Sequence, residues 1–447
     1  MRRCRLPRLG AALGILLMTT PAAGLAGQDV VHVSPGQSLQ QAIDAASEGA
    51  ILVLAGGDHR GPVTIARRLT LRGDTGAAVV GTGTGSVITV AGDHVRIEHL
   101  EVRRSGRDLS RDNAGILVLG HDAHIAHVLS RENLHGIYVR AARRAHLLDN
   151  HIIGLAATGD VVHVTGAEAA LRDDAGHDAP PGVRSLMGNG LHMFDADGAR
   201  VERNRIEHVR DGIYVAHTSD AVFRGNAISD SRYGIHYMYS SDNVIADNEL
   251  WANVAGPALM FSRNLSVTGN LLRDHGGFRA YGLLLQNVET STIHDNELRG
   301  NRVAMRLQNS TANEFRRNRL YGNLAGATIN ASSRDNTFTR NHFGFNLHQI
   351  ELTGPVPANR WSVDGIGNQW QGAMPMDLNG DGISEWPHNE VDVTADRRER
   401  FPVVELLTGS LGLRALEWAL ARAPLPRTRY ITDPHPLIRS GLDAAGR

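Results

Sequence analysis

The sequence is poor in cysteine, in aromatic residues and in excess charge of either sign. Its only cysteine is Cys4, next to the N-terminus. The rest of the chain can therefore form no disulfide, and a metal bound there needs histidine, methionine, carboxylate or carbonyl ligands. The formal net charge of −1 argues against a basic nucleic-acid-binding surface. Aromatic residues make up 5% of the chain while glycine numbers 49, a balance typical of many short strands and turns.

The N-terminal apolar stretch "LGAALGILLM" is too short for a membrane span, which needs about 20 residues. It follows the basic segment "MRRCRLPR" and precedes small residues at Gly24 and Ala26. This order of basic, apolar and small residues is that of a secretory signal peptide. We expect residues 1–26 to be a signal peptide cleaved after Ala26, with a short membrane anchor as the alternative.

A repeat of 22 residues runs through most of the chain. Asparagines recur at this interval and, with steps of 22 to 26, continue further along: Asn204, Asn226, Asn248, Asn270, Asn296, Asn318 and Asn341. Glycines that precede alternating apolar residues recur in the same way: Gly190, Gly212, Gly234 and Gly256.

This period, built from strand-like segments of three to five residues without helical spacing, is typical of a solenoid. We predict an all-β protein, a right-handed parallel β-helix over residues 27–350. The asparagines should stack at equivalent corners, with each amide bonded to the next coil. Leucine-rich repeats are excluded because their dense leucine pattern is missing.

Three segments depart from the repeat. Ser38 is predicted to cap a short helix over residues 39–46 that covers the N-terminal end of the solenoid. Gly136 and Gly190 are 54 residues apart, two periods plus about ten, which predicts a long loop at residues 154–187. Residues 351–447 are predicted to hold a helix and an extended tail that either cap the solenoid or dock on a partner. The helix presents four apolar candidates for docking: Leu413, Leu416, Trp418 and Leu420.

The glycines fix which side chains point outward. In the strand after Gly212, the first and third residues are β-branched and should face the interior, so the second and fourth should face outward. The same register applied to four adjacent coils gives two outward rows. The second positions are His192, Tyr214, His236 and Ala258, and the fourth positions are Phe194, Ala216, Met238 and Met260.

These rows predict a metal site. Met238 and Met260 should be direct neighbours, because equivalent residues of adjacent coils lie about 4.8 Å apart. His236 shares a strand face with Met238, and His192 lies two coils away. Thioether and imidazole ligands together favour copper, as Cu(I), over hard cations. The alternatives are an apolar protein-docking patch and simple packing under the long loop.

The segment "DLNGDGISE" resembles the first half of a calcium-binding loop. Its candidate ligands are Asp377, Asn379, Asp381 and Glu385. The match is partial, because His388 occupies the twelfth position, where a bidentate glutamate is expected. The alternative is a turn held by bonds between side chains and backbone.

Several segments closely resemble the NosD family of maturation factors for nitrous oxide reductase. They are "RDGIYV", "RYGIHYMYSSDN", "AGPALMFSRNLSVTGN", "GLLLQN", "PGQSLQQAIDAASEGAILVLAGG" and "DPHPLI". The resemblance implies a periplasmic copper-binding β-helix protein without catalytic activity. It also implies partners: the permease and ATPase of an ABC transporter, a copper-chaperone lipoprotein and apo nitrous oxide reductase. The C-terminal helical region would then dock on the permease.

The alternative function is that of a carbohydrate-binding protein, polysaccharide lyase or C5-epimerase, since these share the solenoid. Such enzymes need an acid–base pair in an open groove lined by basic residues. Arg103, Arg104, Arg107 and Arg111 could line a groove, but no clear acid–base pair accompanies them. The segment "DPH" at 433–435 is similar to an epimerase motif, yet it lies in the non-repetitive tail. We therefore expect no enzymatic activity.

Overall fold

The computed structural model describes five parts of the chain: residues 29–155, 188–277, 280–391, 410–422 and 430–438. The predicted signal peptide and nearly all of the predicted loop at 154–187 lie outside them. Within the described residues, short strands form three parallel sheets of 13, 12 and 13 strands, and consecutive strands in each sheet come from consecutive coils. The prediction of an all-β, parallel β-helical solenoid is confirmed.

The first sheet consists of the strands Val30–Val33, Ile51–Leu54, Thr70–Gly73, Arg96–Glu98, His124–Ala126, His146–Leu148, Arg200–Glu202, Val222–Arg224, Val244–Ala246, Ser266–Thr268, Thr292–His294, Glu314–Arg316 and Thr337–Thr339. The second sheet consists of Val63–Ile65, Ile88–Val90, Ala114–Val118, His135–Arg140, Leu191–Phe194, Asp211–Ala216, Tyr233–Met238, Ala255–Arg263, Tyr281–Glu289, Val303–Gln308, Ala325–Asn330 and His348–Thr353. The third sheet consists of Gly57–Arg60, Ala77–Val80, Glu101–Arg103, Leu129–Arg131, His151–Ile153, Arg205–Glu207, Ala227–Ser229, Glu249–Trp251, Leu271–Arg273, Glu297–Arg299, Arg319–Tyr321, His342–Gly344 and Gln369–Trp370.

The α-helices of the described residues lie at the two ends of the solenoid. Helix Leu39–Ala45 begins at Ser38, whose hydroxyl accepts a hydrogen bond from the backbone N–H of Gln41 at 3.3 Å, as predicted. A 3-10 turn spans Leu109–Arg111, and a second helix spans Leu411–Arg422. None of the helices within the described residues is long and apolar enough to cross a membrane.

The core fills the inside of the solenoid with alternate residues of each strand. Ile235 and Tyr237 are fully buried, which confirms the inward register predicted from the glycines. Because the coils are stacked in register, equivalent side chains pack directly on one another. The rings of Phe315, Phe338 and Trp361 form such a stack, with centroids 4.7 and 4.4 Å apart.

The asparagine ladder is confirmed. Asn204 Nδ2 donates to Asn226 Oδ1 at 3.0 Å, and Asn226 Nδ2 donates to Asn248 Oδ1 at 2.9 Å. Each of these two side-chain amides also donates to a backbone carbonyl, so the buried amide groups have hydrogen-bond partners. The ladder reaches from Asn150 to Asn368. A second ladder, which the sequence analysis did not find, contains Asn253, His275, Asn301, Asn323 and Asn346.

The coils on either side of the predicted loop are direct neighbours. Ile137 pairs with Leu191, and Asn150 Nδ2 donates to Asn204 Oδ1 at 2.9 Å. The count of two periods plus about ten residues is therefore wrong, because no further coil of the sheets lies between these strands. The residues of this interval beyond one coil form a single insertion between the strands His151–Ile153 and Leu191–Phe194.

The tail closes the C-terminal end of the solenoid. Strand Tyr430–Asp433 pairs antiparallel with His388–Val391. Asp433 is buried and accepts hydrogen bonds from Trp370 Nε1 at 2.8 Å and from the backbone N–H of Asn368 at 2.7 Å. Strand pairing in the third sheet continues to Trp370, past the boundary predicted at residue 350.

Helix Leu411–Arg422 leaves apolar side chains uncovered. Leu411, Leu416 and Trp418 are 87%, 49% and 58% exposed, whereas Leu413 and Leu420 are half-buried. The tail thus caps the solenoid while the helix keeps an apolar surface. A docking role for this surface stays a prediction.

Candidate functional site

The two outward rows lie where the register placed them. In the second sheet, Tyr214 pairs with His236 and His236 with Ala258. Ala216 likewise pairs with Met238, and Met238 with Met260. The two thioether side chains therefore occupy adjacent coils, with His236 two residues before Met238 on the same strand.

Two small residues are strand neighbours of these side chains. Ala216 adjoins Met238 on the side opposite Met260, and Ala258 adjoins both His236 and Met260. Met238, Met260 and His236 are each half-buried. Ala216 and Ala258 are themselves only 3% and 0% exposed, so neighbouring side chains cover both positions.

His236 is held in one orientation by Asp211, which the sequence analysis did not single out. Asp211 Oδ2 lies 3.0 Å from His236 Nδ1. Arg232 binds the same carboxylate through two nitrogens, at 2.8 and 2.7 Å. A carboxylate partner places the imidazole proton on Nδ1 and leaves the lone pair of Nε2 for a ligand. This is the arrangement of a metal-binding histidine with a supporting carboxylate.

Asp211 is ionised despite its burial. Its side chain is 2% exposed, and burial alone would raise its pKa. The charge of Arg232 and the hydrogen bonds from His236 and Arg232 outweigh burial and hold the pKa well below its usual range. In the sequence, the signal for Asp211 is its position directly before the register glycine Gly212.

His192 belongs to a different group of side chains. The Tyr214 ring lies between His192 and His236, with centroids 4.7 and 5.1 Å from theirs. His192 instead stacks on Tyr138 at 4.3 Å and meets His135 at 5.1 Å. The structure thus brings together three of the four predicted copper ligands, His236, Met238 and Met260.

The His135–His192 pair is neutral. Burial lowers the pKa of His135 to about 4 and that of His192 to about 3. His135 Nδ1 accepts a hydrogen bond from the backbone N–H of Asn189 at 2.9 Å, so its proton is on Nε2. The protonated Nε2 of His135 is a donor rather than a metal ligand, so His135 packs beside the site, and His192 as a copper ligand stays a prediction.

An exposed aromatic row flanks the methionine pair and was also missed by the sequence analysis. Phe194 meets His217 at 5.4 Å, His217 stacks on Tyr239 at 5.7 Å, and Tyr239 stacks on Phe261 at 5.0 Å. The last three have φ of 51°, 48° and 50°, a left-handed conformation that costs about 1–2 kcal/mol for such residues. Other coils have the same conformation at the equivalent position, as at Asn287 and Asn309, so it is a feature of the fold, and the exposure of the rings is what indicates a contact surface.

The predicted calcium loop is bonded to its own backbone. Asp377 accepts hydrogen bonds from the N–H groups of Gly380 and Gly382 at 2.6 and 3.1 Å. Asp381 accepts from Ile383 at 2.8 Å, and Glu385 accepts from Leu378 at 2.9 Å. These hydrogen bonds are the ones expected for the alternative, a turn held by bonds between side chains and backbone.

In the described part of the chain, no three histidine, aspartate or glutamate side chains lie close enough to hold a metal ion. Calcium at Asp377, Asn379, Asp381 and Glu385 therefore stays a prediction.

Arg103 and Asp433, from the two segments that favoured an enzyme, make structural contacts. Arg103 forms ion pairs with Asp58 at 2.6 Å and with Glu101 at 3.0 Å. Asp433, from the segment similar to an epimerase motif, is buried against the last coil.

Comparison with solved structures finds the same fold. The Dettilon tailspike protein is similar with a TM-score of 0.52 and 14% identity, over 74% of this chain and 70% of that one. At this identity the similarity establishes the fold alone.

Comparison of sequences is more specific. The family described as "Periplasmic copper-binding protein (NosD)" matches residues 155–374. A protein of Stutzerimonas stutzeri named "Probable ABC transporter binding protein NosD" is 30% identical, over 97% of this chain and 94% of the relative. A protein of the same name from Pseudomonas aeruginosa is 32% identical, over 86% of this chain and 87% of the relative. With this identity over almost its whole length, the chain belongs to the NosD family.

Proposed function

We propose that this protein is a periplasmic accessory factor that binds Cu(I) and, with an ABC transporter, delivers it to apo nitrous oxide reductase. The observation that carries the proposal is the pairing of Met238 with Met260 beside an imidazole fixed by Asp211. The family description as copper-binding and periplasmic supports it, as does the naming of two relatives as ABC transporter binding proteins.

The donor set suits a soft monovalent ion. Two thioethers and one imidazole, with no thiolate and no oxygen ligand, favour Cu(I) and disfavour calcium or magnesium. Neutral thioethers bind copper without the proton release that a thiol requires. Such a site can hold copper and still pass it to a partner with stronger ligands.

The surroundings of the site suit protein partners. Phe194, Tyr239 and Phe261 of the aromatic row are 40%, 52% and 40% exposed next to the methionine pair. A copper-chaperone lipoprotein or the apo-reductase would contact this row while a metal ligand reaches the site. The permease would contact the other exposed apolar surface, on helix Leu411–Arg422 with Leu413, Leu416, Trp418 and Leu420.

Titration with Cu(I) in the presence of a competing chelator tests the proposal. We compare the full chain with Met238→Leu plus Met260→Leu, a change that nearly conserves volume. The double variant should bind Cu(I) at this site at least about tenfold more weakly. Met305→Leu, in the core at 1% exposure, is the matched control and should bind as the unaltered protein does. If the double variant held as many equivalents of Cu(I) as the unaltered protein, with equal affinity, the site would be refuted.

A further inference from the structure

The methionines of the described residues separate into a buried group and two pairs. Met193 and Met305 lie in the core, with exposures of 0% and 1%. Met238 and Met260 form the pair on the second sheet. The remaining two, Met374 and Met376, are 68% and 43% exposed. Methionine is usually buried, so a second outward pair separated by one proline requires an explanation.

Met374 and Met376 line one large cavity at the C-terminal end of the solenoid. Its volume is about 1190 Å³, and it lies between the last coils and helix Leu411–Arg422. His388 and Glu390 contribute to the same lining, as do the indoles of Trp386 and Trp418. The cavity thus combines two thioethers, an imidazole and aromatic walls.

The imidazole of His388 is fixed in place. Its ring stacks on Trp370 with centroids 4.9 Å apart, and its side chain is 12% exposed. His388 Nε2 lies 3.2 Å from Glu390 Oε2. As with Asp211 and His236, a carboxylate at one ring nitrogen places the proton there and leaves a lone pair on the other, here Nδ1.

We infer that Met374, Met376 and His388 form a second binding site for Cu(I). The donor set repeats that of the first site, two thioethers and one carboxylate-supported imidazole, and it selects the same soft ion. The site differs in location, because it lies where the solenoid meets the C-terminal helix. It depends on none of the residues of the first site.

The two sites have different surroundings. The first lies on the solenoid face beside the aromatic row, whereas the second lies in the cavity next to helix Leu411–Arg422. Copper at the second site would therefore be nearest to whatever binds that helix. A protein with both sites would carry copper at two separate contact surfaces.

Stoichiometry measured with a competing chelator tests the inference, since the chelator removes weakly bound copper from surface histidines. The unaltered full chain should bind about two equivalents of Cu(I). Met374→Leu plus Met376→Leu should bind about one, and the quadruple variant that also carries Met238→Leu and Met260→Leu should bind none. X-ray absorption at the copper edge should show that the number of copper–sulfur bonds per protein molecule decreases in the same order.

The outcomes separate this site from the first. An unchanged stoichiometry and affinity for Met374→Leu plus Met376→Leu would overturn the second site. Loss of copper in that variant alone, with none lost from the Met238 and Met260 variant, would support the second site and refute the first. Met374 and Met376 are exposed, and leucine nearly conserves the volume of the half-buried Met238 and Met260, so these variants should fold as the unaltered protein does, which circular dichroism checks.

Discussion

Asp211 and His236, on neighbouring strands of the second sheet, are joined by a 3.0 Å hydrogen bond from Nδ1 to a carboxylate that is itself held by Arg232. The bond crosses from one coil to the next, so the orientation of the imidazole depends on the stacking of the solenoid. It gives His236 a defined tautomer with Nε2 available. The copper affinity proposed for this site should therefore depend on a residue that does not touch the metal.

Replacing Asp211 by Asn should weaken Cu(I) binding about 10- to 100-fold, because the amide no longer fixes the imidazole proton on Nδ1. The free energy of unfolding should also fall, since Arg232 loses its buried partner. Affinity is measured by chelator competition, and stability by urea unfolding.

A double-mutant cycle separates positioning from general destabilisation. In a His236→Ala background, Asp211→Asn should leave the remaining Cu(I) affinity unchanged while still lowering stability. An equal loss of affinity with and without His236 would contradict the positioning role.

Acid should destabilise the protein through its buried histidines. Burial lowers the pKa of His135 to about 4 and those of His192 and His275 to about 3. The neutral imidazole is thus favoured in the folded state, while the unfolded chain binds protons below about pH 6.5. The stability that these groups contribute is complete above that pH and is lost as the pH falls toward the folded pKa values, by up to about 1.4 kcal/mol per pH unit for each group.

His275→Asn should reduce this sensitivity to acid. His275 occupies a position that Asn253 and Asn301 fill in the adjacent coils, so asparagine fits the ladder and does not titrate. Urea unfolding at pH 7 and pH 5 should show a smaller loss of stability than in the unaltered protein. A loss of the same size in both proteins would show that His275 does not take up a proton on unfolding.

Tyr239→Asn should leave the stability within about 1 kcal/mol of the unaltered value. The lost ring stacking costs about 0.5–1.5 kcal/mol, and asparagine regains a similar amount because it tolerates the left-handed conformation. Asn287 and Asn309 already occupy equivalent positions with φ of 52° and 49°.

The matched control is Tyr237→Asn on the same strand, where the ring is fully buried and its loss should cost more than about 3 kcal/mol. A similar loss of stability in both variants would mean that the aromatic row serves the fold rather than a contact surface.

Asp433→Ala should release the tail. The change leaves Trp370 Nε1 and the backbone N–H of Asn368 buried without an acceptor, at a cost of about 1–3 kcal/mol for each group. Limited proteolysis should then cut the tail sooner than it cuts the solenoid, and the midpoint of unfolding should fall. An unaltered cleavage pattern would contradict the capping role.

The repeat made much of this structure predictable. A register glycine every 22 residues is enough to place Met238 beside Met260, because equivalent positions of adjacent coils always pair. The separation of His192 from His236 depends on the Tyr214 ring filling the space between them, which strand periodicity does not describe.

The parts that escaped prediction involve residues outside the alternating positions. Asp211 precedes the register glycine, and its role becomes visible only when Arg232 and His236 of the next coil meet it. Met374, Met376 and His388 lie beyond the repeat, where the backbone follows no period. The strand His388–Val391 is held by its pairing with the tail strand Tyr430–Asp433, a contact between segments distant in sequence.

The asparagine ladder also has a direction. Each side-chain amide donates toward the C-terminal end and accepts from the N-terminal side, so the amide dipoles align along the solenoid axis. Aligned dipoles polarise one another and leave partial positive charge at the donor end. That end is Asn368, and the carboxylate of Asp433 lies directly against it. The tail thus places an acidic group at the positive pole of the stack, as acidic residues do at the N-terminus of a helix.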